Sequence, residues 1–150
     1  MNRFTSLLLA AVVATGAGAG IAAAAGYGSS GGTVTLHKTK LGSILANSKG
    51  VTLYLFEKDK NHKSACSGAC AAAWPPLLTT GKPTAGSGVK ASLLGTTKRS
   101  DGKTQVTYAG HPVYTFSLDK GKAGSTKGEG NKAFGAEWYV LNAKGKKVEG

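Results

Sequence analysis

Cys66 and Cys70 stand four residues apart, and His62 stands four before Cys66. One turn of helix would set two sulfurs and an imidazole along one face, a ligand set suited to Cu(I) or Zn. The same spacing also serves a disulfide. Four helical residues rise about 6 Å, inside the usual Cα separation of a bridged pair. Gly68 weighs against a helix running through both cysteines. C-x3-C is not the C-x2-C of dithiol oxidoreductases, no His follows Cys70 as a c-type haem requires, and beyond residue 25 no Met remains as a thioether ligand. The expectation is a Cys66–Cys70 disulfide with no metal and no cofactor. The alternative is a copper-handling or thiol-redox site built on His62, Cys66 and Cys70. For nucleophilic catalysis, His37, His62 and His111 could supply a base, but no G-x-S-x-G elbow accompanies them, and His111 precedes Pro112 where a turn or surface role is the default. No catalytic residue is assigned, and the chain is expected not to be an enzyme.

The fate of the two thiols depends on the compartment. Met1-Asn2-Arg3 precedes an uncharged stretch from Phe4 to Gly26, apolar around Leu7 to Leu9 and small-residue-rich at Ala22 to Ala25. That is the pattern of an export signal over 1–25, cleaved near Ala24 or Ala25. Its alternative is an uncleaved anchor, because the stretch exceeds the ~18 residues that can span a bilayer. Either way the rest of the chain is secreted or lies in the cell envelope or periplasm, where nearby cysteines oxidise.

Composition bounds what positions these residues. Beyond residue 25, Leu, Ile, Val and Phe make up 22 of 125 residues and Gly another 20. So few aliphatics and so much glycine exclude a large helical bundle and leave a disordered basic chain or a small, turn-rich β domain. The whole chain carries a formal +12. Past the signal the positive charge is lysine throughout except for Arg99. Without arginine forks a sequence-reading nucleic-acid domain is not expected. Dispersed lysines such as Lys58, Lys60 and Lys63, or Lys144, Lys146 and Lys147, attract anionic envelope polymers or a membrane surface nonspecifically, or serve solubility alone. The chain is expected to be a monomer.

Residues 26–32 have the composition of a flexible linker, and a β-rich domain is expected over 33–150. Strands are expected at Thr33 to His37, Leu41 to Ala46, Val51 to Phe56, Thr104 to Tyr108, Pro112 to Phe116 and Glu137 to Leu141. Asn47-Ser48-Lys49-Gly50, Ala109-Gly110 and Asn142 to Gly145 read as turns between them, and Thr79 to Gly88 as a loop. One short helical turn, Ala69 to Trp74, ends at Pro75-Pro76. A shift of 60 residues superimposes Gly50 on Gly110, Tyr54 on Tyr114, Phe56 on Phe116, Asp59 on Asp119 and Gly68 on Gly128. Four further residues bring Trp74 onto Trp138. Two degenerate hairpin-containing repeats, about 41–78 and 93–145, therefore share a core that neither completes alone. Tyr54 and Phe56 point to one face of their strand, Leu53 and Leu55 to the other, so that strand is central. Asp59 and Asp119 follow where the strand ends, and capping of turn amides is their simplest role.

Tyr54-Leu55-Phe56-Glu57-Lys58-Asp59 and Tyr114-Thr115-Phe116-Ser117-Leu118-Asp119 resemble the Yx(FWY)xxD motif of a bacterial family described as predicted lipoproteins, or secreted repeat of unknown function. The resemblance runs on through Cys66 to Cys70, Trp74-Pro75-Pro76, Arg99 to Gly102, Gln105 to Tyr108, Gly110-His111-Pro112 and Trp138-Tyr139-Val140. It implies an exported envelope protein whose biochemical role is unassigned. Many members carry a lipid-anchoring cysteine, and no Cys follows the apolar run here.

Overall fold

The computed structural model describes residues 32–150. The expected signal, 1–25, lies outside the described residues, as does the expected linker except Gly32. In chain order the elements are β1 (Thr33–Thr39), β2 (Gly42–Asn47), β3 (Tyr54–Phe56), α1 (Ala69–Ala73), β4 (Thr84–Ala85), β5 (Leu94–Lys98), β6 (Thr104–Tyr108), β7 (His111–Pro112), β8 (Lys132–Ala133), β9 (Ala136–Leu141) and β10 (Lys147–Val148). Single 3₁₀ turns sit at Ala91–Leu93 and Ser117–Asp119. The protein is one small, mostly β domain built on two repeats. Three small sheets form it, ordered β2-β1-β4, β10-β9-β3 with β8 also on β9, and β5-β6-β7.

Each repeat opens with an antiparallel pair. β1 meets β2 with Leu36 opposite Leu45, and β5 meets β6 with Thr96 opposite Val106. The turn after β2 is closed by Asn47, whose Oδ1 accepts from the N–H groups of Lys49 and Val51, while Gly50 takes φ +79° at no steric cost. The turn after β6 uses Ala109 and Gly110, both at positive φ. Asn142 closes the β9–β10 turn in the same way, accepting from the N–H groups of Lys144 and Lys146.

Three expectations need correction. The strand expected over 51–56 is regular only at β3; Val51 to Leu53 touch β2 through the Ala46–Thr52 bridge, and the chain then leaves to pair with β9. Likewise the strand expected over 112–116 keeps its ladder only to Pro112, beyond which Tyr114 bridges both Tyr54 and Pro76. Both departures let one segment bury two faces, which a plain hairpin cannot do. The loop expected over 79–88 contains β4, which runs parallel to β1. In addition, β5 went unforeseen because Leu94-Gly95-Thr96-Thr97-Lys98 has no apolar alternation and is held by its ladder to β6.

The core lies on the two faces of β3 and the residue before it. Leu53 and Leu55 pack with Val34, Leu45, Val106 and Leu141, whereas Tyr54 and Phe56 pack with Ile44, Trp74, Tyr114, Phe116 and Trp138. Both faces are apolar as expected, but β3 ends its sheet instead of standing within it, with the single Tyr54–Tyr114 bridge on its far side. The rings supply buried area that the scarce aliphatics do not, each worth on the order of 2–3 kcal/mol of transfer free energy.

Candidate functional site

The two copies of the motif exchange partners. The Tyr54 hydroxyl donates to Asp119 Oδ2 at 2.6 Å, and the Tyr114 hydroxyl donates to Asp59 Oδ2 at 2.8 Å. Between them the backbones of Tyr54 and Tyr114 bond reciprocally, N–H to C=O, at 2.8 and 3.0 Å. The rings follow the same rule: Phe56 stacks on Trp138 at 4.0 Å between centroids, Phe116 on Trp74 at 3.9 Å, and the two indoles on each other at 3.9 Å. Each tyrosine stands edge-on to an indole, Tyr54 to Trp74 at 5.4 Å and Tyr114 to Trp138 at 5.1 Å. A pseudo-two-fold axis thus runs through the Tyr54–Tyr114 bridge, and every motif residue is completed by the other repeat. Gly128 admits this packing: a Cβ there would stand within 2.9 Å of the Trp74 and Tyr54 rings, and its N–H bonds the Tyr54 oxygen.

The carboxylates also order the loops that follow them. Asp59 Oδ1 accepts from the N–H of Ala65, and Asp119 Oδ1 accepts from the Ser125 hydroxyl and the N–H of Lys127. Burial raises the phenol pKa of both Tyr54 and Tyr114 above the ordinary range, reinforced by the carboxylate each one faces, so both remain donors at neutral pH. Burial also lifts Asp59 to about 6, against the lowering influence of the Ala65 N–H, the Tyr114 hydroxyl and the Arg99 charge. A carboxyl that holds its proton more tightly folded than unfolded stabilises the fold most below its unfolded pKa. That contribution disappears as pH rises from about 4 to about 6. Between those pH values the wild type should lose on the order of 1–2 kcal/mol relative to Asp59→Asn, discounting the shift for partial exposure. Parallel urea titrations check this; identical pH profiles for the two proteins refute it.

Cys66 and Cys70 are joined as a disulfide, with Cα atoms 5.2 Å apart. The pair does not share a helical turn. Cys66 precedes α1, and Gly68 at φ +58° breaks the path between them. With both sulfurs consumed in the bridge, the thiolates that a metal or thiol-redox site with His62 needs are not available in this form. So small a loop contributes about 2 kcal/mol at most in the chain-entropy account. The bridge is buried in the aromatic cluster and pins a local turn.

Arg99, to which the sequence assigns no role of its own, ties this turn to the second repeat. It is 5% exposed and donates to the Cys66 carbonyl, Ser64 Oγ, Gln105 Oε1 and Asp101 Oδ2. Ser64 Oγ in turn shares a hydrogen bond with the Tyr114 hydroxyl at 2.7 Å, joining Arg99 to the exchanged pair. The one arginine beyond residue 25 of a lysine-rich chain was the available signal, since its fork suits a buried polar network where lysine does not.

Among the described residues the three histidines form no metal-holding cluster, although His62 and His111 are neighbours. The His37 ring lies against Gly50 and Gly124, and His62 covers Gly110. His111 is half-buried in an open cleft beside Glu57, and burial, with His62 adding to it, holds its pKa below the ordinary range against the pull of Glu57. None of the three hydrogen-bonds a serine or an acid among the described residues.

No curated protein and no solved structure gives a match to this chain. A family does match, over residues 35–78 and 95–142, the two segments that carry the exchanged motifs. By that match and by its two interlocked copies of the motif, the chain belongs to the family described as a secreted repeat of unknown function.

Proposed function

We propose that this exported protein is a non-enzymatic binding module that adsorbs to anionic envelope polymers or membrane surfaces through its lysines. The observation that carries the reading is an asymmetry in how charges are used. Among the described residues Glu57 and Glu149 hold Lys147, Glu137 holds Lys132, and Asp101 holds Arg99. Asp59 and Asp119 serve the exchanged tyrosines, and Glu129 accepts from the Val140 N–H. The other lysines form no ion pair among the described residues, and they are exposed. Free lysines on a surface whose acids are already engaged leave a one-signed field that attracts polyanions. The non-enzymatic half of the reading is supported by the motif, whose tyrosines and acids satisfy one another: even at the cleft that Asp119 borders with Lys120, Lys122 and Lys127, its carboxylate is already engaged by the Tyr54 and Ser125 hydroxyls and the Lys127 N–H.

The test is retention of the purified protein on phosphatidylglycerol-containing vesicles and on a sulfated polysaccharide column. Retention should be strong near 0.02 M salt and lost by about 0.5 M, where the Debye length has shrunk from about 20 Å to about 4 Å. Absence of retention at the low salt concentration would assign the charge to solubility alone.

A further inference from the structure

Lysines line two of the clefts among the described residues, Lys120, Lys122 and Lys127 around Asp119 and Lys144, Lys146 and Lys147 at a larger one. An open cleft of about 630 Å³ lies between the end of β3, the Ala109–His111 turn and the β9–β10 turn. Leu55 and Ala109 form its apolar part, Lys144, Lys146 and Lys147 its basic rim, and His111 one wall. Its volume is within the range of small-ligand sites.

The rim is rigidly built. Asn142 Oδ1 fixes the backbone of the turn through the Lys144 and Lys146 N–H groups, and the Asn142 N–H bonds the Lys146 carbonyl at 2.9 Å. Gly145 is packed so closely that a Cβ would collide with Ala109, which seats the turn on the second repeat. Lys147 is held by Glu57 and Glu149 at 3.1 Å each and lies over the Tyr139 ring at 4.6 Å. Lys144 and Lys146 are exposed and form no ion pair among the described residues. Glu57 is the one carboxylate in the cleft, and its charge is offset by Lys147.

We infer that this cleft is a phosphate-binding site, taking a phosphate group carried on an anionic polymer or lipid headgroup between Lys144 and Lys146, with the carrier's carbon skeleton against Leu55 and Ala109. The inference rests on the anionic-surface reading above and locates it. Lysine ammoniums are point charges suited to a phosphate's distributed oxygens, and the cleft offers no arginine fork for a planar carboxylate. Nor does it offer a free aromatic face on which a nucleobase could stack, since Tyr139 lies under Lys147. His111 supplies a ring nitrogen that can hydrogen-bond a phosphate oxygen and reports on occupancy.

The experiment measures binding of inorganic polyphosphate to the wild type, to Lys144→Glu/Lys146→Glu and to Lys38→Glu/Lys40→Glu. The two variants change net charge equally, the second on the β1–β2 hairpin. The cleft variant should bind at least tenfold more weakly and the hairpin variant within about twofold of wild type, and the His111 ring-proton resonances should move on titration of the wild type but not of the cleft variant. Lys144→Gln/Lys146→Gln, which inserts no repulsive charge, should weaken binding in the same direction, and circular dichroism checks that each variant is folded. Equal losses in the cleft and hairpin variants, with His111 unmoved, overturn the site while leaving the surface reading standing. No binding by the wild type at low ionic strength overturns both. Phosphatidylglycerol vesicles in place of polyphosphate separate the sources: cleft-dependent binding to vesicles assigns a headgroup, and cleft-dependent binding to the polymer alone assigns a polymer.

Discussion

Trp138→Ala is expected to lower the free energy of unfolding by about 3–5 kcal/mol, as for a fully buried large aromatic side chain. Trp138 is 0% exposed, and its indole touches both halves of the molecule: it stacks on Phe56 and on Trp74 and receives the edge of Tyr114. Its Nε1–H also donates to the Ala133 carbonyl at 3.1 Å. Removing it leaves a cavity bounded by rigid rings, which cannot collapse inward as flexible aliphatics do. A small domain is stable by only about 5–15 kcal/mol, so this one substitution removes a large part of the margin. Urea denaturation followed by far-ultraviolet circular dichroism measures it. Trp74→Ala, at the equivalent point of the stack, should cost a similar amount, while Phe134→Ala, 43% exposed, should cost under about 0.5 kcal/mol. A loss below about 1 kcal/mol for Trp138→Ala would show that the stack is not what holds the repeats together.

Asp119→Ala is expected to cost about 3 kcal/mol, because it orphans three donors at once: the Tyr54 hydroxyl, the Ser125 hydroxyl and the Lys127 N–H. Tyr54→Phe should cost about 1–3 kcal/mol by withdrawing a charge-assisted hydrogen bond from a carboxylate that is 2% exposed. The two should not add. A double-mutant cycle between Tyr54 and Asp119 should show a coupling of about 1–3 kcal/mol, and so should one between Tyr114 and Asp59. Tyr54 and Asp59, neighbours within one motif but not bonded to each other, should couple by under about 0.5 kcal/mol. Coupling within a motif and none across the repeats is the opposite pattern, and it would contradict the exchange of partners. The cycle is decisive because Asp59 and Asp119 hold equivalent positions in the two motifs, and coupling reports which tyrosine each one bonds.

How much of this was legible beforehand can be judged element by element. The alternation around β1, the asparagine and glycine signals at Asn47 to Gly50 and Asn142 to Gly145, and the prolines after Trp74 all act over a few residues, so they announced strands, turns and the end of α1. The placement of Leu53 and Leu55 opposite Tyr54 and Phe56 is likewise a property of backbone period, and it foretold two cores on one strand. By contrast, β4 and β5 have no periodic signal and exist because β1 and β6 present unpaired edges to them. The cysteines disclosed their bond through spacing and compartment, but the break at Gly68 within the loop required the backbone itself.

From the residues alone, then, came the duplication, the apolar faces and the positions of the tyrosines and acids, since each is encoded in local spacing. Tertiary structure decided that Tyr54 bonds Asp119 and not Asp59, that Phe56 stacks on Trp138 and not Trp74, and that Arg99 joins the disulfide turn to the second repeat. It also gathered Lys144, Lys146 and His111 into one cleft. For the two exchanges, of Tyr with Asp and of Phe with Trp, the physical reason is the same. An internal repeat offers each side chain two chemically identical partners, one near in sequence and one far, and no local preference distinguishes them. The choice is made when the two motifs pair antiparallel at Tyr54 and Tyr114, which turns each side chain toward the other repeat and buries every donor against its acceptor.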